Sequence, residues 1–142
     1  MSKSNALETA LLELLFNGTT IANMADDAAT SPLTNLYVSL HTGDPGEAGT
    51  QATSECTYTT YARVAVARTA GGWTVTGNSV SPAAEVAFPL AGDGAETATH
   101  FAVGSAASGA GVVYYIGTIS PTIAIANGVQ PIFTTALAIT ED

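Results

Sequence analysis

Positive charge is almost missing from this sequence. The 142-residue chain carries three basic residues, Lys3, Arg63 and Arg68, against 12 acidic ones, for a net charge of −9. Holding a phosphate backbone takes clustered lysine and arginine, and so does docking on an anionic membrane. Nucleic acid and membrane are therefore excluded as partners. Cysteine is scarce too. Cys56 stands alone, which rules out an internal disulfide and a multi-cysteine metal site. No apolar run reaches the roughly 18–20 residues that a transmembrane helix needs. The opening MSKSNALETALLELLF has one lysine and an apolar stretch broken by Glu8 and Glu13, unlike a secretory leader. Synthesis in the cytoplasm is expected.

Catalytic signatures are also lacking. There is no GxSxG elbow, no phosphate-binding GxxxxGK[ST], and no HExxH or CxxC. His41 and His100 are the only histidines, and neither has a ligand partner at metal-binding spacing. Asp44 and Glu47 lie in GDPGEAG, which lacks the alternating acids of a calcium loop and reads as a turn. Asp93 and Glu96 are a second acidic pair without a recognisable role. The expectation is a non-enzymatic chain with no cofactor and no metal.

What is present is apolar and strand-like. Hydrophobic residues make up 46 % of the chain and charged ones 11 %, the balance of a folded domain rather than a disordered one. One helix is predicted over residues 5–17. Asn5 is in capping position with Glu8 three residues on, and Asn17-Gly18 supplies the stop. Leu7, Leu11, Leu14 and Leu15 fall on one face, with Glu8 and Thr9 off it. Residues 18–35 read as a linker. Alternating segments follow at Asn35–Thr42, Tyr61–Arg68, Trp73–Thr76, Ala84–Phe88, Thr97–Gly104, Gly111–Ser120, Ile123–Ala126, Pro131–Thr134 and Leu137–Thr140. Gly111–Ser120, the most apolar, reads as a central strand. No crossover helix separates these strands, so the pairing should be antiparallel. The fold class is mainly β: an antiparallel β-sandwich or jelly-roll preceded by one short N-terminal α-helix. Residues 1–34 form the helix and linker, and residues 35–142 the β-sandwich, as one structural unit overall. Between the first two strands, Gly43–Thr60 reads as an exposed, turn-rich loop that serves a partner and is separable from the fold.

Four segments together resemble a known family. LYVSLHTGDPGEAG (Leu36–Gly49), YAR (Tyr61–Arg63), THFAVGSAASG (Thr99–Gly109) and YIGTI (Tyr115–Ile119) occur in the order seen in small tailed-phage virion proteins of the tail-fibre-like or minor tail kind. The resemblance covers most of the chain. FAVGSA at Phe101–Ala106 departs from the family pattern by losing an aspartate, and the polar stretch before YAR is longer and carries Cys56. The resemblance implies a structural protein without enzyme activity or cofactor, located in the virion. It implies other virion proteins as partners, either the major capsid protein or tail proteins, and a homo-oligomer is expected. A compact chain without shaft or repeats fits a head decoration (cement) subunit. The alternative is a tail-attached fibre or minor tail protein, or a receptor-binding, glycan-binding module. Candidate partner contacts are Leu7, Leu11 and Leu14 on the helix, Asp44 and Glu47 in the turn, Tyr58, and the arginines Arg63 and Arg68. Arginine suits an acidic patch on a neighbouring copy because its fork grips carboxylates.

Overall fold

The computed structural model of the chain describes residues 5–20 and 33–141, with helix side chains from Glu8 onward. The chain is mainly β, with one short helix at its N-terminal end and antiparallel sheets, the composition of a β-sandwich. Its residues group into two compact units. One comprises Met1–Asn35, Val66–Glu85 and Thr134–Asp142, the other Leu36–Ala65 and Val86–Phe133. The linker expected around 18–35 falls largely outside the described residues, as do the Asn5 cap and the Leu7 side chain.

The first unit holds helix α1 (Asn5–Asn17) and the strands β3 (Trp73–Thr76), β4 (Ser79–Pro82) and β9 (Ile139–Thr140), in the sheet order β3-β4-β9. Strand β4 is absent from the sequence-based expectation because Asn78 and Pro82, both turn residues, bracket it. Pro82 is tolerated as the last residue, facing Trp73 where the ladder ends. The helix turns a different stripe inward from the leucines expected. Glu8, Leu12 and Phe16 are buried at i, i+4 and i+8, while Leu11, Leu14 and Leu15 are half-buried. Leucines occupy so much of ALLELLF that periodicity alone does not choose a face. Phe16 chooses it: its ring meets the buried Trp73 indole edge-on, with centroids 4.6 Å apart. Thr9 adds a hydroxyl bond to the Gly77 carbonyl on the β3–β4 turn.

Arg68 closes the other end of the helix. Its guanidinium donates to the Leu15 carbonyl at 2.5 Å and to the Leu14 carbonyl. These are among the last carbonyls of the helix, which have no partner inside it, and a cation there also complements the helix dipole. The backbone N–H of Arg68 donates to Thr34 at 3.0 Å.

β1 (Asn35–His41), β2 (Val64–Ala67), β6 (Ala95–Gly104) and β7 (Val113–Ala126) form a sheet in the order β2-β1-β6-β7, whose residues belong to the second unit apart from Asn35, Val66 and Ala67. β5 (Val86–Ala87) pairs with β8 (Ile132–Phe133). One face of the larger sheet carries Leu36, Val38, Leu40, Phe101 and Val103, all buried. An aromatic chain lies in this core: Phe101 against Phe133 at 5.5 Å, Phe133 against Phe88 at 5.8 Å, and Phe88 stacked on Tyr61 at 6.4 Å. Gly117 faces Phe101 across the β6–β7 pair, and a Cβ there would stand 2.2 Å from the ring. This explains the glycine in the YIGTI segment.

Strand β7 is at the end of the sheet, not in its middle as its apolar sequence suggests. It also merges the two strands expected at Gly111–Ser120 and Ile123–Ala126. The register with β6 jumps from His100↔Thr118 to Ala98↔Ile123, so Ile119–Thr122 bulge out of the ladder and take up Pro121.

Replacing Leu12 by alanine should cost about 2–5 kcal/mol, the range for emptying a buried leucine site. Leu14→Ala should cost clearly less. Urea denaturation of the two variants checks the helix facing: equal losses would return the inward stripe to the leucines.

Candidate interaction surface

The loop between β1 and β2 does not project. It folds back over the second face of the β1-β6-β7 sheet. Ser39 and His41 point to that face, and both are fully buried beneath the loop. The loop brings its own buried side chains with it: Gln51, Cys56 and Tyr58. Gln51 donates through Nε2 to the Tyr37 carbonyl at 3.1 Å and accepts from the Ala106 N–H at 3.0 Å. Space for it exists because Gly104 and Gly111 lack a side chain, and a Cβ on either would lie 2.3 Å from the Gln51 amide. The expectation that this loop is separable from the fold is therefore corrected. Its polar sequence looks solvated, but Gln51, Glu55 and Tyr58 spend their polar groups on partners within the fold.

The centre of this arrangement is Glu55. Both of its carboxylate oxygens accept from Arg63, Oε1 from Nε at 2.6 Å and Oε2 from Nη2 at 2.8 Å. The same guanidinium donates to the carbonyls of Ala106 at 2.9 Å and Gly109 at 2.7 Å, in the β6–β7 connection. Arg63 is 8 % exposed, so the forked pair is sheltered from solvent. Hydrogen bonds to Glu55 raise the guanidinium's pKa further. Tyr61 donates its hydroxyl to Glu55 at 2.8 Å and accepts the Leu40 N–H at 3.0 Å. Burial, reinforced by Glu55, raises the Tyr61 hydroxyl and keeps its proton in place.

His41 is held by the loop as well. Its Nδ1 lies 2.8 Å from the Thr53 carbonyl and its Nε2 lies 2.9 Å from the Ser39 hydroxyl. A carbonyl can only accept, so Nδ1 carries the proton and Nε2 accepts from Ser39. Burial lowers the ring's pKa from its ordinary 6.5, against the opposing pull of the Thr53 carbonyl and Glu55. Cys56 is 1 % exposed, and burial with the nearby Glu96 and Glu55 pushes its thiol up to about 12. It is an inert core residue.

The second acidic pair fastens the end of the loop. Glu96 accepts from the backbone N–H groups of Thr57 and Tyr58, each at 2.9 Å to Oε1. Asp93 accepts from the Thr59 N–H at 3.1 Å and from the Thr59 hydroxyl. These bonds hold the Asp93 carboxyl below its ordinary range. Tyr58 is buried, its hydroxyl on the Pro89 carbonyl at 3.1 Å and its own pKa pushed up to about 12 by burial.

The expected contact residues thus separate. Arg63 and Tyr58 face inward and present nothing to a partner, and the Arg68 guanidinium binds helix carbonyls. Leu11 and Leu14 are half-buried on α1. Asp44 and Glu47 are exposed and come together in one turn, where Asp44 accepts the Gly46 N–H at 2.8 Å. This turn borders two shallow clefts. One is lined by Asp44, Glu47, His100, Ile116 and Thr118, the other by Glu47 and the consecutive residues Val113, Tyr114, Tyr115 and Ile116. Sequence reasoning offered Tyr114, here 37 % exposed, as part of a tyrosine contact surface, but did not single out Ile116 or Val112, which is 60 % exposed. The available signal was the lack of any Asp, Glu, Lys or Arg between Glu96 and Glu141. Among the described residues no group of three His, Cys, Asp or Glu side chains is placed to hold a metal ion, and no helix is long and apolar enough to cross a membrane.

Glu55→Ala should cost roughly 3–5 kcal/mol in chemical denaturation, because it strands the buried Arg63 charge. The double change Glu55→Ala with Arg63→Met should recover part of that loss, whereas a double variant no better than the single one would deny the pair its role. His41 sets a pH dependence. Unfolded, the ring takes up a proton near 6.5, while the folded chain keeps it neutral, so the unfolded state binds more protons below that pH. Stability should be full above about pH 6.5 and fall from there toward the lower folded value, by at most about 1.4 kcal/mol per pH unit. Urea melts at about pH 7.5 and about pH 5.5 test this, since His41→Gln should flatten the difference.

The chain was compared with known proteins. No curated protein matches it. A family model described as "Podophage GP4 fiber I protein gp80" matches residues 2–140, nearly the whole chain. This agrees with the resemblance to small tailed-phage virion proteins. The chain belongs to this podophage fiber protein family and is a bacteriophage structural protein.

Proposed function

We propose that the chain is a non-enzymatic subunit of a podophage fibre, held in the virion by other structural proteins. The observation that carries this reading is the match of residues 2–140 to a family described as a fiber protein. That description favours the fibre alternative over head decoration. The chemistry of the described residues supports a binding rather than a catalytic role. Asp93 and Glu96 are committed to backbone N–H groups, and Glu55 is neutralised by Arg63. An acid catalyst needs a carboxyl held protonated, and Asp93 is shifted the other way. The exposed features are those of an adhesive surface: an acidic turn at Asp44 and Glu47, with the exposed Val112 and Tyr114 and the half-buried Ile116 nearby.

Gold-labelled antibody against this chain, applied to intact particles and viewed by electron microscopy, tests the reading. Label confined to fibres is the expected result. Label spread over the head shell would replace it with the cement reading.

A further inference from the structure

We propose that Asn127 is a self-modification site, losing its side-chain ammonia by attack of the Gly128 amide nitrogen, and that one hydrogen bond to Ala91 holds the reaction back. The inference does not depend on where in the virion the chain sits. In this reaction the backbone nitrogen of the residue after an asparagine attacks the carboxamide carbon. A nitrogen–carbon bond forms and closes an imide ring. The attacking nitrogen gives up its proton, and the carboxamide nitrogen leaves as ammonia. Water then opens the imide at either carbonyl. One opening yields aspartate, and the other yields isoaspartate, whose main chain runs through the side-chain methylene. A following glycine favours the attack, since it has no side chain to shield its nitrogen and its backbone turns freely.

Asn-Gly occurs twice in the chain, at Asn17-Gly18 and Asn127-Gly128, and Asn78 precedes the small Ser79. The fold separates these sites. Asn17 is half-buried, and its amide, oriented as hydrogen bonding requires, donates to the carbonyls of Trp73 and Thr69, each at 3.2 Å. Asn78 is half-buried too, and its amide donates to the Glu141 carbonyl at 3.1 Å. Asn127 is exposed, and its carboxamide has no hydrogen-bond partner among the described residues. It sits in a tight turn closed by the Val129 N–H on the Ala126 carbonyl at 2.9 Å. Gly128, the other central residue, takes the left-handed φ of +83°, and a Cβ built there would meet nothing within 4 Å. The carbon to be attacked is therefore free to rotate, and water reaches it from outside.

The nucleophile, in contrast, is tethered. The Gly128 N–H donates to the Ala91 carbonyl at 2.8 Å. A nitrogen engaged in this way keeps its proton and faces Ala91 rather than the carboxamide. Attack waits for the turn to lift, a local opening that leaves the core folded. Three further bonds hold down the exit from the turn. The Ala91 N–H donates to the Val129 carbonyl at 2.9 Å, Gln130 Nε2 to the Phe88 carbonyl at 3.0 Å, and the Phe88 N–H to the Pro131 carbonyl at 2.9 Å. The product alters this neighbourhood. Either acid places a carboxylate in the stretch from Thr97 to Thr140, which has no fixed charge. Isoaspartate also adds an atom to the main chain just ahead of these bonds and of β8, whose Phe133 packs against Phe101 and Phe88.

The test incubates the full-length chain at mildly alkaline pH, where the attacking nitrogen loses its proton more readily. Mass spectrometry of its peptides then maps the change from amide to acid. In the folded chain Asn127 should convert ahead of Asn17 and Asn78. In guanidinium chloride Asn127 and Asn17 should both speed up and converge, because each is then a plain Asn-Gly step. Gln130→Ala, at an exposed position, removes one bond that holds the turn. It should raise the folded-state rate at Asn127 roughly three- to tenfold and leave Asn17 unchanged. Conversion at Asn17 or Asn78 as fast as at Asn127 in the folded chain would overturn the proposal, and so would the absence of conversion at Asn127. Equal rates at Asn127 with and without denaturant would deny the Ala91 bond any hold and overturn it as well. An unchanged rate in Gln130→Ala, or a rise at Asn17 as large as at Asn127, would do the same.

Discussion

The forked pair between Arg63 and Glu55 is the contact on which the second unit's outer layer depends. Glu55 sits in the long connection after β1, and Arg63 just ahead of β2. Their bond closes a short loop of chain. The two remaining guanidinium bonds then reach the carbonyls of Ala106 and Gly109. One side chain thus ties together the connection after β1 and the β6–β7 connection. Charge burial of this kind is seldom a large net gain, because desolvation offsets most of the attraction. Its force is conditional: once one member is in place, the other must be too. Gln51 and His41 extend the same logic with neutral groups, each using both ends of its side chain.

The sequence revealed the class of fold well, because alternation survives translation into strands. β1, β3 and β6 lie close to where Leu36–Leu40, Trp73–Thr76 and Phe101–Val103 announce them. Sheet position was harder to read. Val113–Ile119 is apolar on alternate residues in either phase, and alternation does not say whether a neighbour lies on both sides. The helix face was ambiguous for a related reason, and only a tertiary contact, Phe16 on Trp73, resolves it. The least legible part was the connection at Gly43–Thr60. Glycine, proline and threonine mark turns whether the turns hang in water or lie on a sheet. What distinguishes the two is where polar side chains find partners. Those of Gln51, Glu55 and Tyr58 lie 55, 8 and 31 positions away in sequence.

The distribution of charge acquires meaning from this arrangement. The two arginines serve the interior: one neutralises a carboxylate, and one closes a helix. Some carboxylates are consumed as well, at Glu55, Asp93 and Glu96. Asp44 and Glu47 remain outside. From Thr97 to Thr140 the chain bears no fixed charge, so repulsion between copies comes entirely from elsewhere. A surface acidic as a whole but without fixed charge along one border keeps copies dispersed in solution.

The bulge at Ile119–Thr122 gives that border a length. An uninterrupted strand of 14 residues would span about 45 Å, and the regular ladder before the bulge, Tyr115–Thr118, only about 13 Å. Anything laid along it runs out of regular template after about four residues. Growth by repeated strand addition, the route to uncontrolled polymer, needs each new layer to offer the next one a full-length edge. A template that ends early works as a ruler: it admits a short graft and gives propagation nothing to follow.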